Sequence, residues 1–404
     1  MSNFKSCVKP ICAGLLVQLC VGILYLWSVF KMAVVEQYQW SLDAANLVAS
    51  VMLFAFVLGN FIGGYLQDII NPRLVSTMGC ILFSGGILAS SFLTSDTIAL
   101  LYLTYCCISG LGSGFAYAAN LFCIQKWLPH RRGLASGLAA STFGLSTVVF
   151  TPLSQWLLTS TGSVSATFRI LAIVFFILSM VGCLFIRLPD KAYLDSLHLP
   201  ASAVSGDSSL NLSQALRTTP FWLLAFSLFF YNATWNTLTP LIKDLGLSRG
   251  LSENIAVLTV SLTGITNFAG RLIMSSLSDK LGRFKVLYIL CGITALSALL
   301  LTFSRSGLYT AAVLATAFAY GGPSAVFPST CTDFFGPKYA GRNYGLMMLA
   351  LGLSSVIFNP ISNALYHATK GYTATFLLGT ATALIAFLLC WQLYLRRTSA
   401  VLQA

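Results

Sequence analysis

Apolar residues in this chain gather into long runs of about twenty, separated by short polar breaks. Twelve such segments can be counted, at 11–34, 46–66, 74–93, 98–121, 133–158, 168–187, 221–242, 255–276, 285–303, 308–331, 343–366 and 373–395. A helix rising about 1.5 Å per residue needs about twenty residues to cross a hydrocarbon core, and most of these runs are that long. One break is longer than the rest. From Leu188 to Thr219 the chain turns polar, with Ser202, Ser205, Ser208 and Ser209 around Gly206 and Asp207. The pattern predicts an all-α integral membrane protein with twelve transmembrane helices. Residues 1–187 form one six-helix bundle, 188–219 a linker on the cytoplasmic side, and 220–404 a second bundle.

Composition agrees and removes other classes. The chain is 57% hydrophobic and 8% charged, whereas soluble domains carry about a quarter charged residues. A net charge of +12 raises the question of nucleic acid. The basic residues, however, fall between apolar runs without interleaved aromatics, so they act as topology signals and nucleic acid is not a partner. With the N-terminus inside, the inner loops and tails hold sixteen Lys and Arg. The outer side holds six: Lys31, Arg169, Lys243, Arg249, Arg305 and Lys370. That bias puts both termini in the cytoplasm. The apolar run after Lys5 and Lys9 is long enough to span and lacks a clear small-residue cleavage site, so no cleaved signal peptide is expected. With compact loops this suits a bacterial inner membrane. The eleven cysteines are scattered, mostly within apolar runs, and read as small buried side chains. No metal and no cofactor is expected. The three histidines, His130, His198 and His367, lie at loops or segment ends without a carboxylate or thiol at useful spacing, which argues against an enzyme.

The two halves repeat. Trp127-Leu128-Pro129-His130-Arg131-Arg132-Gly133-Leu134-Ala135-Ser136-Gly137-Leu138 returns as Phe335-Gly336-Pro337-Lys338-Tyr339-Ala340-Gly341-Arg342-Asn343-Tyr344-Gly345-Leu346. Gly137, Gly144 and Pro152 match Gly345, Gly352 and Pro360, and Gly64 to Asp68 is echoed by Ser275 to Asp279. Duplicated halves of this kind are a transporter architecture, with the substrate site near mid-membrane between the halves.

Three features carry candidate chemistry. Arg271 is the one ionisable residue well inside a span, about two turns from Asp279. A guanidinium placed in hydrocarbon costs about 2.5–3.5 kcal/mol on insertion scales, which is tolerable where it meets an anion in a wet cavity. No Asp or Glu lies in the middle of a span, so the carboxylate partner used by many cation carriers is missing. Around Arg271 the candidate substrate-binding residues are Gln18 and Tyr25 in span one, Tyr117 in span four, Trp235 in span seven, Asn267 beside the arginine and Tyr320 in span ten. Tyr and Trp can enclose a small anion while donating hydrogen bonds. Last, Asp68 with Arg73 and Asp279 with Arg283 end two inner loops, near Arg131 and Arg132. A carboxylate at a helix end that pairs with such cations is a conformational latch. In span four, Gly110-Leu111-Gly112-Ser113-Gly114 lies inside an apolar run, so it serves close helix packing rather than a dinucleotide.

The loops Gly63-Gly64-Tyr65-Leu66-Gln67-Asp68 through Arg73, and Leu277-Ser278-Asp279-Lys280-Leu281-Gly282-Arg283, resemble the G-x-L-x-D-x-x-G-R signature of the major facilitator superfamily. The first copy departs at Asn71 and Pro72. Gly22 to Phe30, Lys126 to Gly137, Asn267 to Arg283 and the runs Val326-Phe327-Pro328, Phe334-Phe335-Gly336 and Asn343-Tyr344-Gly345 further resemble that superfamily's oxalate/formate antiporter family, akin to the monocarboxylate carriers. The resemblance implies a secondary transporter of small carboxylates working by alternating access, with the arginine matching Arg271 holding the carboxylate and aromatic residues around it. The coupled species would be a proton or a counter-anion, the lipid bilayer the other partner, and the unit a monomer. The oxalate carrier of that family has a lysine in span eleven where this chain has Leu351. One cation suits a monoanion such as pyruvate, lactate or formate. The alternatives are an oxalate/formate-type dicarboxylate exchanger and a drug or sugar exporter.

Overall fold

A computed structural model describes residues 2–22, 26–94, 97–197 and 209–402, and among them there is no strand. The long helices are α1 (Ser2–Val21), α2 (Trp27–Tyr38), α3 (Leu42–Gln67), α4 (Pro72–Ala89), α5 (Ile98–Trp127), α6 (Arg132–Thr161) and α7 (Val164–Phe185) in the first half. The second half supplies α8 (Thr219–Leu238), α9 (Ile242–Ser248), α10 (Glu253–Leu281), α11 (Arg283–Phe303), α12 (Ser306–Phe335), α13 (Ala340–Thr369) and α14 (Thr373–Leu402). Ten helices among the described residues are long and apolar enough to cross a membrane, and Cys7–Val21 forms a shorter apolar helix. Helices are the form this composition requires, because hydrocarbon offers no partner to a backbone N–H or C=O.

Two expected spans are divided. The run at 11–34 gives α1 and α2 on either side of residues 23–25, which include Tyr25 and lie outside the described residues. The run at 221–242 gives α8, a 3₁₀ turn at Thr239–Leu241 and α9. In the long polar segment, residues 198–208 lie outside the described residues. On either side stand short helices at Lys191–Asp195 and Leu212–Leu216, the latter opened by a capping box of Asn211 and Gln214.

The chain folds as two compact units. One comprises Met1–Pro129, Leu138–Leu210 and Phe335–Leu346, the other His130–Gly137, Asn211–Phe334 and Met347–Ala404. Each unit therefore includes a short segment from the opposite half of the sequence. In the first, α3 and α4 pack on α5, while α1 and α4 pack on α7. In the second, α8 and α11 pack on α14. Apolar side chains also cover the outer faces: Ile177 and Leu184 on α7 and Leu296 on α11 are more than half exposed. That surface is suited to lipid.

Helix crossings depend on missing side chains. On α10, a Cβ at Gly270 would collide with the Phe318 carbonyl of α12, and a Cβ at Gly321 of α12 with the Asn267 carbonyl of α10. Neither neighbour is a flexible side-chain end, so the helices themselves would have to separate. Gly270→Val or Gly321→Val is expected to lower stability by about 1–3 kcal/mol or more, as overpacking does. Gly292→Ala, where nothing lies within 4 Å of the added carbon, serves as control. Thermal unfolding of the purified protein in detergent checks this, and equal midpoints for all three would refute the close-approach account.

Candidate functional site

Arg271 lies on α10, and only 22% of the apolar window of that helix is covered by protein, the least of the ten spans. The arginine is an exception on its own helix, being 5% exposed. A guanidinium turned out to lipid or headgroups would have been exposed. Asn267, one turn before it, accepts a hydrogen bond from its Nε at 2.8 Å, which fixes the plane of the guanidinium. The crossing at Gly270 and Gly321 brings α12 against this turn and sets Tyr320 at the same level. Trp235 of α8 stacks on Tyr320, with ring centroids 5.0 Å apart and planes at 19°. Arg271, Asn267, Tyr320 and Trp235 thus form one layer in the second unit: a permanent cation, an amide and two aromatic groups able to donate hydrogen bonds.

The remaining described candidates gather in the first unit. Gln18 of α1 donates through Nε2 to the Tyr117 carbonyl at 3.2 Å, while its Oε1 is buried without a hydrogen-bond partner among the described residues. The Tyr117 ring meets Phe143 and Phe56 edge-on at 5.0 and 5.5 Å. Tyr25, the expected third member, lies outside the described residues.

Asp68 and Asp279, two of the candidate latch residues, each anchor a junction of related design. In the second unit, Asp279 at the end of α10 accepts hydrogen bonds from the backbone N–H groups of Gly133 and Leu134, both 2.8 Å, at the start of α6. The first N–H groups of a helix have no internal partner and form the positive end of its dipole, so the carboxylate is well placed there. Arg283 bonds the same carboxylate at 2.7 Å and Asp333 of α12 at 2.9 Å, and Arg132 closes on Asp333 at 3.0 Å. Two arginines and two aspartates make a neutral, partly buried network. In the first unit, Asp68 accepts from the backbone N–H of Arg342, at the start of α13, at 3.0 Å and from its Nε at 3.3 Å. The Arg342 guanidinium also lies over the rings of Tyr65 and Tyr339, at 4.5 and 4.8 Å.

Not every candidate cation joins a junction. Asp68 joins Arg342 rather than Arg73. Asn71 caps α4 by accepting from the Arg73 N–H at 2.9 Å, so the helix begins at Pro72 and leaves Arg73 exposed in its first turn. Arg131, in the 3₁₀ turn Pro129–Arg131, is exposed and has no ion pair among the described residues. Asp333 and the pairing role of Arg342 were not foreseen. The repeat held a signal for the second, since it aligns the start of α6 with the start of α13.

Repeated bundles of apolar helices, a buried cation layer and carboxylate junctions at helix ends define a multi-pass membrane transporter rather than an enzyme. The sequence pattern described as Major Facilitator Superfamily matches residues 11–358 and again 250–403, and the chain belongs to that superfamily. It is 31% identical to the oxalate:formate antiporter of Oxalobacter formigenes over 93% of this chain and 88% of that protein. It is 25% identical to apicoplast pyruvate carrier 1 of Toxoplasma gondii over 94% of this chain and 87% of that one. Among solved structures, the fold is similar to that of the Escherichia coli fucose:proton symporter. The TM-score is 0.74 at 14% identity, over 96% of this chain and 99% of that one.

Asp68 is wholly buried as a side chain. Burial pushes its carboxyl up to about 6 from 3.8, and the Arg342 N–H, Lys126 and the Arg342 guanidinium only partly oppose this. The folded junction therefore favours the protonated acid. Its contribution is fully present below about pH 4 and is lost as pH rises through about 6, worth up to about 3 kcal/mol. Asp68→Asn is expected to remove this component. The difference in melting midpoint between wild type and Asp68→Asn should change between pH 4 and 7, and a constant difference would refute the protonated junction.

Proposed function

We propose that the protein is a secondary transporter of small organic anions, working by alternating access on monocarboxylates such as pyruvate, lactate or formate. The observation that carries this is Arg271, a buried permanent cation on an apolar helix, oriented by Asn267 and set in one layer with Tyr320 and Trp235. Arginine presents parallel N–H groups that match a carboxylate bidentately. An anion arriving there neutralises the only charge well inside a span and removes the cost of keeping it in a low-dielectric layer. Tyr117, Gln18 and Tyr25 remain the candidates for substrate recognition that the sequence offers in its first half. The oxalate:formate antiporter and the pyruvate carrier among its relatives support the carboxylate class.

Charge favours a monoanion. A second carboxylate would need a second cation, because a buried uncompensated charge is costly. At Leu351 on α13 this chain offers a half-buried apolar side chain where the resemblance places a lysine. The runner-up substrate is therefore a dicarboxylate of the oxalate type, and a drug or sugar ranks below both. The coupled ion is a proton or a counter-anion. A proton can travel on the carboxylic acid itself, with no intramembrane carboxylate required. The junction loops and both termini face the cytoplasm of a bacterial inner membrane, 188–219 links bundles 1–187 and 220–404, and the monomer is the working unit.

Two experiments check this. Purified protein in liposomes is expected to move labelled pyruvate well above its rate for oxalate, and strong oxalate exchange without monocarboxylate flux would reverse the assignment. Arg271→Lys keeps the charge but loses the planar fork. It is expected to cut flux by about tenfold or more, with normal membrane insertion. Near-normal flux in that variant would take Arg271 out of the mechanism.

A further inference from the structure

At the ends of α10, α11 and α12 remote from the Asp279–Asp333 network, the turns Ser248–Gly250 and Thr302–Ser306 enclose a cleft of about 770 Å³. Two arginines line it. Arg249 is fixed: its Nη1 donates to the Ser304 carbonyl at 2.7 Å, and its own carbonyl accepts from the Ser306 N–H at 3.1 Å. Its guanidinium lies over the rings of Tyr309 and Phe376, at 5.8 and 6.0 Å, and both belong to the apolar core beneath. Arg305 is exposed. Among the described residues neither forms an ion pair, and the nearby Glu253 is taken by Lys243 at 3.1 Å. Burial and the neighbouring Arg305 hold the Arg249 guanidinium below its ordinary value. Ser304, 1% exposed, lines the same cleft with its hydroxyl unpartnered among the described residues.

The internal repeat gives this cleft a counterpart in the first half with which it can be compared. The offset that maps Asp68 onto Asp279 maps Gln39 onto Gly250, and both have positive φ, 56° and 87°. The same offset maps Leu93 onto Ser304, and these share φ −67° and ψ 146°. The backbone frame is thus common to the two copies, while the side chains differ. Where the second copy has Arg249, the first has Tyr38, stacked on Trp40 at 4.8 Å and bonded to Ser165 at 2.9 Å. Where the second has Ser304-Arg305, the first has Leu93-Thr94. One copy places a buried aromatic stack at this corner, and the other places two arginines without an ion pair and an unpartnered hydroxyl among the described residues.

We propose that this cleft binds a phosphate oxyanion, with Arg249 as the fixed fork, Ser304 as a further donor and Arg305 as a mobile arm. Guanidinium groups match phosphate geometry and charge. The exposed apolar side chains of Leu247, Phe303 and Leu308 border the two turns, so the phosphate can arrive on a phospholipid headgroup as well as free in water. The inference does not depend on the transport assignment, because none of these residues belongs to the Arg271 layer.

Arg305→Gln is the informative variant, since Arg305 is exposed and makes no ion pair that the fold needs. Full-length protein in detergent is titrated with phosphatidylglycerol, read by native mass spectrometry, and with inorganic phosphate, read by thermal stabilisation. Lys370→Gln, removing another exposed cation, is the control. Loss of lipid retention by about fivefold in Arg305→Gln, regained in Arg305→Lys, supports the site with a lipid occupant. Phosphate stabilisation present in wild type and absent in Arg305→Gln supports it with a free one. Equal response of wild type, Arg305→Gln and Lys370→Gln to both probes overturns it, and pyruvate flux stays unchanged in every case.

Discussion

A charge that cannot be shed, placed inside a helix built to meet hydrocarbon, is the constraint from which most of the second unit follows. Arg271 must be kept from lipid, yet α10 is the least covered of the spans. The chain solves this locally. Gly270 and Gly321 allow α12 to lie against the arginine's own turn, and Asn267 ties down Nε. The aromatic pair of Trp235 and Tyr320 occupies the same level. Glycine lets two membrane helices approach, while a buried asparagine costs desolvation unless it is bonded, as Asn267 is to Arg271. Their convergence on one turn is explained by the cation they surround.

The carboxylate junctions follow from a different property of helices, the unpaired N–H groups at their first turn. Asp279 takes two such groups at the start of α6, and Asp68 takes one at the start of α13. A bond made by backbone is insensitive to the identity of the side chain that follows, so the two copies could diverge without losing it. They have diverged. The second junction is reinforced by Arg283, Asp333 and Arg132, the first by rings stacked on Arg342. In the first, burial raises the Asp68 carboxyl to about 6.

Much of this was legible before any coordinates. Span length and apolarity define the helices, because hydrocarbon thickness is a ruler that water does not supply. The lone intramembrane arginine and the repeated Asp68 and Asp279 stood out for the same reason: charge is rare enough in this chain that each instance carries information. What escaped were pairings between residues distant in sequence. Nothing local in the sequence marks Asp333 as the bridge between Arg132 and Arg283. Arg73 is the cation nearest to Asp68 in the sequence and would have been the local partner. Asn71 and Pro72 begin α4 too early for that, and a residue some 270 positions away takes the place. The division of the 221–242 run into α8, a 3₁₀ turn and α9 was also hidden, because apolarity is continuous across the turn.

The repeat also bears on why an arginine stands well inside a span in one half and not in the other. The offset that relates the two aspartates relates Arg271 to Asn60. The helix crossing beside them is the same, since a Cβ on Gly114 would meet the backbone of Phe56 and Asn60, as a Cβ on Gly321 would meet that of Asn267 and Arg271. Asn60 is wholly buried, with neither Oδ1 nor Nδ2 partnered among the described residues. An ancestral duplication with equal halves would carry equal charge in both. A second guanidinium at residue 60 would need a second anion to remain tolerable away from water. The neutral amide avoids that demand. The repeat thus keeps the helix crossing in both halves and the cation in one of them.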